Sequence, residues 1–174
     1  MEALVEQTLV TPILEEFRDE VAITKRVLDR VPADKLTWRP HPKSMSLGQL
    51  AWHVANIPGG ISRIAQQSSF DVSQGNFVPP QPGSKEEILQ IFEQSCRDAE
   101  SFLQVLTDRQ AVESWRLLNH GAEVFVKPRI NIVRSIMLNH WYHHRGQLSV
   151  YLRLLEVPVP IIYGRSADES PFPA

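Results

Sequence analysis

Apolar residues recur at intervals of three and four along four stretches of the chain, and each stretch predicts an amphipathic helix. The predicted helices cover residues 12–28, 46–64, 84–106 and 128–155. No run of alternating apolar and polar residues is long enough to compete with them. The pattern therefore predicts an all-α protein.

Local signals mark where three of these helices begin. Thr11 is a candidate N-cap, and Pro12 suits the first helical position because the amide that it lacks has no partner there. Ser46 stands three residues before Gln49, the spacing of a capping box, and Ser84 has the same spacing to a glutamate.

Several segments interrupt the helical pattern. Residues 58–60, Pro-Gly-Gly, should kink or break the second helix. Residues 68–83 are rich in Ser, Gly, Asn, Gln and Pro and predict a loop. Residues 107–127 predict irregular structure with a short strand-like piece at 123–126. The tail, 157–174, is Pro-rich and cannot form a regular helix.

Four long helices in a chain of 174 residues predict one domain, residues 1–174, built as a four-helix bundle. The connections after the second and third helices exceed the two to eight residues usual in a simple up-and-down bundle. We therefore expect long crossover loops, and helices that are consecutive in sequence need not be neighbours in space.

The composition narrows the functional classes. With a net charge of −2 and no run of Lys or Arg, the chain gives no electrostatic reason to bind nucleic acid. No apolar run approaches the ~20 residues of a membrane span, and residues 1–17 lack the features of a signal peptide. The single cysteine, Cys96, excludes an intramolecular disulfide, has the spacing of a buried core residue and fits a cytoplasmic location.

The most informative polar residues are His140 and His144, four residues apart in the fourth helix. At about 100° per residue they project from one face, within the apolar stripe. Two imidazoles in this arrangement can hold one transition-metal ion. His53 borders the apolar stripe of the second helix, so it can meet the pair if the two helices pack together. Three imidazoles would leave a coordination position open, as in catalytic metal sites.

Other residues near these histidines have open roles. His143 lies at the edge of the stripe and is expected to support the site or to face solvent or an interface. Gln147 could hydrogen-bond a ligand or a water molecule at the site. His41 and His120 lie in predicted loops, which makes them weak candidates. The alternative to a metal site is that each histidine is a core residue bonded to a backbone carbonyl.

Two segments resemble a known family. Ser-Leu-Gly-Gln-Leu-Ala-Trp-His, residues 46–53, is similar to the second-helix motif of DinB-like proteins, and residues 139–148, with His-Trp-Tyr-His-His-Arg-Gly-Gln, resemble their fourth-helix motif. Residues 157–169 look like the tail of one branch of that family. The second motif is the most specific of the three.

The resemblance implies an up-down-down-up four-helix bundle, often a homodimer, with a divalent metal ion held by His53, His140 and His144. The ion would be Zn²⁺, Ni²⁺ or Mn²⁺. The implied activity is a transfer or isomerisation of a small-molecule substrate with a low-molecular-weight thiol such as bacillithiol, mycothiol or glutathione. A metal-assisted hydrolase is one alternative. The other is a non-catalytic bundle, stabilised by metal, that binds a partner or serves a stress response.

Four further residues carry weaker predictions. Tyr163 and Asp168, in the tail, are candidates for closing over a pocket, although packing of the tail is their ordinary role. Trp141 and Arg145 lie off the centre of the apolar stripe and are therefore expected at a dimer interface or on a solvated face.

Overall fold

The computed structural model describes residues 8–172, so the expectations for the N-terminal segment 1–7 and for residues 173–174 lie outside the described residues. The four predicted helical stretches are all present. The first three are α1 (Thr11–Asp29), α2 (Leu47–Gln66) and α3 (Lys85–Val105). The fourth is continuous but composite, and consists of α5 (Arg129–Ile132), a π-helical segment (Val133–Asn139) and α6 (His140–Leu154). A short helix, α4 (Asp108–Val112), precedes it.

The fold is mostly helical, as predicted, but it is not a pure four-helix bundle, because the chain also forms a small three-stranded sheet. Its strands are β1 (Ser69–Asp71), β2 (Ser114–Asn119) and β3 (Ala122–Pro128), in the order β1-β2-β3. β1 is parallel to β2, and β2 is antiparallel to β3. The strand-like piece predicted at residues 123–126 lies within β3. The sheet as a whole is not predicted, because β1 has three residues and β3 has no buried face, so neither shows alternating burial.

The helix starts follow the predicted chemistry at two places. The Ser46 hydroxyl accepts from the amide of Gln49, and the Gln49 side chain accepts from the amide of Ser46, which completes the capping box. The Ser84 hydroxyl likewise accepts from the amide of Glu87, but the Glu87 carboxylate accepts from Gly83 instead of Ser84. The third helix therefore has half of the predicted box.

The start of α1 differs from the prediction. Thr11 is the first helical residue and not the N-cap. The carboxylate of Asp108, far away in sequence, accepts hydrogen bonds from the amides of Thr8 and Leu9 at 2.7 and 3.0 Å. The Thr8 hydroxyl also donates to this carboxylate at 2.6 Å. Together these bonds hold the pKa of Asp108 below its usual value, and the bond from the Thr8 hydroxyl is the largest cause. A distant side chain thus stabilises the segment that leads into the helix.

Residue Pro58 does not break α2, contrary to one predicted outcome. A proline has no amide proton for the carbonyl four residues earlier, here that of Val54. The indole nitrogen of Trp141 donates to this carbonyl at 2.9 Å. The amide of Gly59 donates to the hydroxyl of Ser95 at 2.7 Å. Side chains from neighbouring helices therefore satisfy the backbone around the proline.

The long helices do not pack in chain order, as the crossover loops predicted. α1 packs against α3 and α6, and α2 packs against the same two helices, so α1 and α2 face each other diagonally. Cys96 is buried in this core, and burial raises the pKa of its thiol to about 12. The prediction of a core thiol is confirmed. None of the helices within residues 8–172 has the length and apolarity to cross a membrane.

The expectation that Trp141 and Arg145 face solvent or an interface is wrong, since both are buried. The buried stripe of α6 is centred near these two residues, so the histidine pair lies at its edge. A pattern of hydrophobicity misplaces Arg145 because it counts every charged residue as polar. Its guanidinium forms an ion pair with buried Glu20 and donates to the hydroxyls of Thr24 and Tyr163.

Candidate metal centre

Three imidazoles from two helices meet at one point. His53 projects from α2, and His140 and His144 project from the first two turns of α6. The Nε2 atoms of His53 and His140 are 3.4 Å apart. One ring nitrogen from each of the three residues lies within 4.8 Å of the other two. Of the groups formed by described residues, this one has the composition and spacing to hold a metal ion.

Helix packing sets this convergence. The π-helical segment ends at Asn139, so the regular turn that carries the histidine pair starts at His140. π-Helical turns inside α-helices are frequently found at functional sites. Beside the site, the hydrogen bond from Trp141 to Val54 joins α6 to α2. This bond holds the residues adjacent to His140 and His53 in register.

The environment keeps the imidazoles neutral. Burial, reinforced by the neighbouring imidazoles, lowers the pKa of His53 to about 4. Burial also lowers the pKa of His144 to about 4 and lowers the pKa of His140. A neutral imidazole has a free lone pair, which is the form that binds a metal ion. The cluster therefore offers lone pairs at neutral pH.

Gln147 contacts the cluster through His144. Its Oε1 atom lies 2.7 Å from Nδ1 of His144. An amide oxygen can only accept, so this contact favours the tautomer in which Nδ1 of His144 carries the proton. The lone pair then lies on Nε2. Metal-bound histidines are commonly held by such a partner on the other ring nitrogen.

The three histidines line one wall of a cleft with a volume of about 1010 Å³. α2 supplies a second set of lining residues at helical spacing, including Trp52, Asn56 and Ile57. The outer wall is the segment 75–80, which follows a short 3-10 helix (Val72–Gln74). The cluster is therefore accessible to a small molecule that enters the cleft.

The segment 75–80 was predicted only as part of a loop, and its place over the cleft could not be read from its composition. It is tied to the start of α2, because the side-chain amide of Gln49 donates to the carbonyl of Pro79 at 3.2 Å. The hydroxyl of Ser46 also donates to Gln81 at 2.6 Å. The place of Asn56 in the cleft could have been predicted, since it follows His53 by three residues and lies on the same face of α2.

The tail residues do not close the cleft. Tyr163 contacts Arg145 and Glu20 on the other side of α6, and Asp168 pairs with Arg153. Neither lines the cleft. The tail itself has no regular helix between residues 157 and 172, as its prolines predicted.

The remaining histidines lie outside the cluster. His143 is exposed, and its ring centroid is 4.9 Å from that of His144. His41 accepts a hydrogen bond from the amide of Lys43 in its own loop. His120 lies in the turn between β2 and β3, with a positive φ of 48°.

Known proteins share both the sequence pattern and the fold. The DinB family model matches residues 6–171. The uncharacterized protein YrdA of Bacillus subtilis is 26% identical over 166 residues, which cover 90% of this chain and 89% of YrdA.

Two crystal structures of DinB-like proteins have similar folds. A protein from Bacillus cereus aligns with a TM-score of 0.67 and 23% identity, over 86% of this chain and 95% of its own. YjoA from Bacillus subtilis aligns with a TM-score of 0.68 and 17% identity, over 89% of this chain and 99% of its own. The match over nearly the whole sequence carries the assignment, and the chain belongs to the DinB family.

Proposed function

We propose that the protein is a metal-dependent enzyme in which His53, His140 and His144 hold one divalent cation. The observation that carries this proposal is the meeting of three neutral imidazoles at the wall of a cleft. Tetrahedral coordination with bonds of about 2.0–2.1 Å separates two ligand nitrogens by about 3.3–3.4 Å. The 3.4 Å between Nε2 of His53 and Nε2 of His140 fits that separation.

The donor set favours Zn²⁺ or Ni²⁺ over Mn²⁺, because imidazole nitrogen suits the first two better. When bound, the ion would lower the pKa of a thiol or a water molecule in its open position. The chain contributes orientation: Gln147 fixes the tautomer of His144, and Trp141 holds the two helices in register beside the site.

The reaction that we propose is transfer from a low-molecular-weight thiol, such as bacillithiol, mycothiol or glutathione, to a small-molecule electrophile. The thiol sulfur forms a bond to the electrophilic carbon, and the thiol proton passes to solvent. The leaving group departs with the electron pair of the bond that breaks. In an isomerisation no group would be displaced: the sulfur would add to a carbon–carbon double bond, with a proton to the other carbon, and both would leave again after rotation about the resulting single bond, so that the thiol is regenerated.

Metal-assisted hydrolysis is the second candidate. It would use the same open coordination position for a water molecule. Such enzymes often add a carboxylate as general base, and no Asp or Glu is among the described residues that line the cleft. The observation makes thiol chemistry the better proposal, since a thiol needs less help to lose its proton. A homodimer in the cytoplasm stays a prediction from the sequence.

The test compares metal content and activity in matched variants. The purified protein is stripped, reloaded with Zn²⁺ or Ni²⁺ and analysed for bound metal, alongside His140→Ala and the control His143→Ala. Thiol consumption is then measured with each of the three thiols and 1-chloro-2,4-dinitrobenzene as electrophile. We expect one ion per chain and metal-dependent turnover, both lost in His140→Ala and retained in His143→Ala.

Three outcomes contradict the proposal. Turnover that does not depend on metal counts against the transferase, and so does the absence of turnover with every thiol. Unfolding of the protein on metal removal would instead indicate a structural site and favour the non-catalytic bundle.

A further inference from the structure

The cleft beside the histidine cluster has no charged lining. None of its 18 lining residues is Asp, Glu, Lys or Arg. Its polar groups are few: the three imidazoles, the amides of Asn56 and Asn76, and the indole of Trp52. Placing a charged group in such a cleft would cost desolvation without an ion pair in return. The chemistry of the wall therefore favours an uncharged group in whatever part of a ligand lies against it.

A smaller side chamber adjoins the cleft and shares part of its lining. Its volume is about 180 Å³, and nine aliphatic or aromatic residues line it. Five of them also line the main cleft, and these are Ile61, Ile64, Phe70, Phe77 and Ile136. A dry cavity of about 150 Å³ in another protein holds one benzene molecule. The chamber therefore has room for a single six-membered ring or a branched alkyl group of similar size.

The loop over the cleft has the same character. Phe77 is 64% exposed and Val78 is 73% exposed, and both line the cleft. The ring of Phe77 packs edge-to-face with Phe70 at 6.4 Å between centroids. An apolar occupant would cover the exposed surface of Phe77 and Val78, and burial of that surface favours its binding.

We propose that the electrophilic substrate is an uncharged molecule whose ring-sized apolar group occupies the side chamber. This inference rests on the proposed function only for the position of the reacting end beside the histidines. The side-chain amide of Asn56 has no hydrogen-bond partner among residues 8–172, and it stands one turn from His53. It is placed to hydrogen-bond a carbonyl or hydroxyl oxygen of the substrate.

The first experiment uses the Zn²⁺-loaded protein and three thiol probes. Benzyl mercaptan carries a neutral ring, 2-mercaptoethanol carries none, and 4-(mercaptomethyl)benzoate carries the ring with a carboxylate. Calorimetric titration should give benzyl mercaptan an affinity about tenfold or more above that of each other probe, because only it buries a neutral ring. Equal affinity for the ring with and without the carboxylate would overturn the proposal.

The second experiment separates the chamber from the metal. Toluene is titrated into metal-free protein and followed by ligand-detected NMR. Val72, which lines only the side chamber, is replaced in Val72→Trp to fill it. Val124→Trp, at an exposed position of β3, is the matched control. Thermal unfolding shows whether each variant remains folded.

We expect toluene to bind the parent and Val124→Trp and to bind Val72→Trp at least about tenfold more weakly. Toluene binding without any uptake of Zn²⁺ would leave the chamber assignment standing while the proposed function fails. Zn²⁺ uptake without toluene binding would overturn the chamber assignment and leave the proposed function standing. If Val72→Trp unfolds, loss of toluene binding in Ile136→Asn gives the same test.

Discussion

The indole N–H of Trp141 donates a 2.9 Å hydrogen bond to the carbonyl of Val54, the carbonyl that Pro58 leaves without its helical donor. Val54 follows His53, and Trp141 follows His140. One contact therefore satisfies an interrupted helix and also fixes the two histidine-bearing helices against each other. The carbonyl that lacks a donor within α2 therefore forms a hydrogen bond that joins α2 to α6.

Replacement of Trp141 by Phe keeps most of the ring packing and removes the donor. We expect a loss of about 1–3 kcal/mol in unfolding free energy, because the buried Val54 carbonyl would be left unsatisfied. Urea denaturation measures it. In a Pro58→Ala background the restored amide can serve Val54, so the same replacement should cost clearly less. An equal cost in both backgrounds would show that the loss comes from ring packing alone.

Because the ion pair between Arg145 and Glu20 is buried, we expect the loss of one partner to destabilise the protein more than the loss of both. Arg145 is 1% exposed and Glu20 is 7% exposed. Arg145→Met leaves the Glu20 carboxylate buried without its partner and should cost about 3–5 kcal/mol. The double variant with Glu20→Leu removes both charges and should recover part of that stability. Chemical denaturation of the single and double variants tests this, and simple additivity of the two single costs would contradict it.

Two glycines in helices should respond to alanine with opposite sign. A Cβ at Gly59 would lie 2.8 Å from the Cα of Ser95, so the packing of α2 against α3 would have to shift. We expect Gly59→Ala to destabilise by about 1–3 kcal/mol. At Gly146 a Cβ would meet nothing within 4 Å, and Gly146→Ala should stabilise by about 0.5–1 kcal/mol through helix propensity. Thermal unfolding of both variants provides the measurement, and a change of the same sign in both would contradict the packing argument.

The histidine cluster should make the metal-free protein sensitive to acid. The pKa of His53 and of His144 is about 4 when folded, against 6.5 for an ordinary histidine. Between these values the unfolded chain binds more protons, so stability is complete above about pH 6.5 and falls as the pH approaches 4. Each kcal/mol lost lowers Tm by about 2–4 °C in a chain of this size.

The control for this prediction lies beside the cluster. The double variant His53→Gln, His144→Gln should lose much of the pH dependence of Tm between pH 7 and 5. His143→Gln, at an exposed position, should keep it. A slope that is unchanged in the double variant would assign the acid sensitivity to other groups.

The helices and the histidine pair of α6 were predictable because both depend on local periodicity. His140 and His144 share a face at any position in a regular helix, and the capping box at Ser46 is a local signal. The pairing of α2 with α6 is not local. It came from the resemblance to known proteins, since helical spacing alone left the position of His53 undecided.

What the sequence could not predict depends on contacts between distant residues. Trp141 donates to the carbonyl that Pro58 leaves without a donor, and Asp108 accepts from the backbone before α1. Glu20 forms the ion pair that allows Arg145 to be buried. In each case one residue of the pair is misleading when read alone. A proline implies a break, and an arginine implies solvent, until the partner is known.

The central claim is that His53, His140 and His144 share one cation, and anomalous diffraction tests it most directly. Crystals grown with Zn²⁺ would be measured on both sides of the zinc absorption edge. We expect one anomalous peak per chain, about 2.0–2.1 Å from a ring nitrogen of each of the three histidines. Anomalous density that is absent from the cluster while zinc is bound elsewhere on the protein would contradict the account.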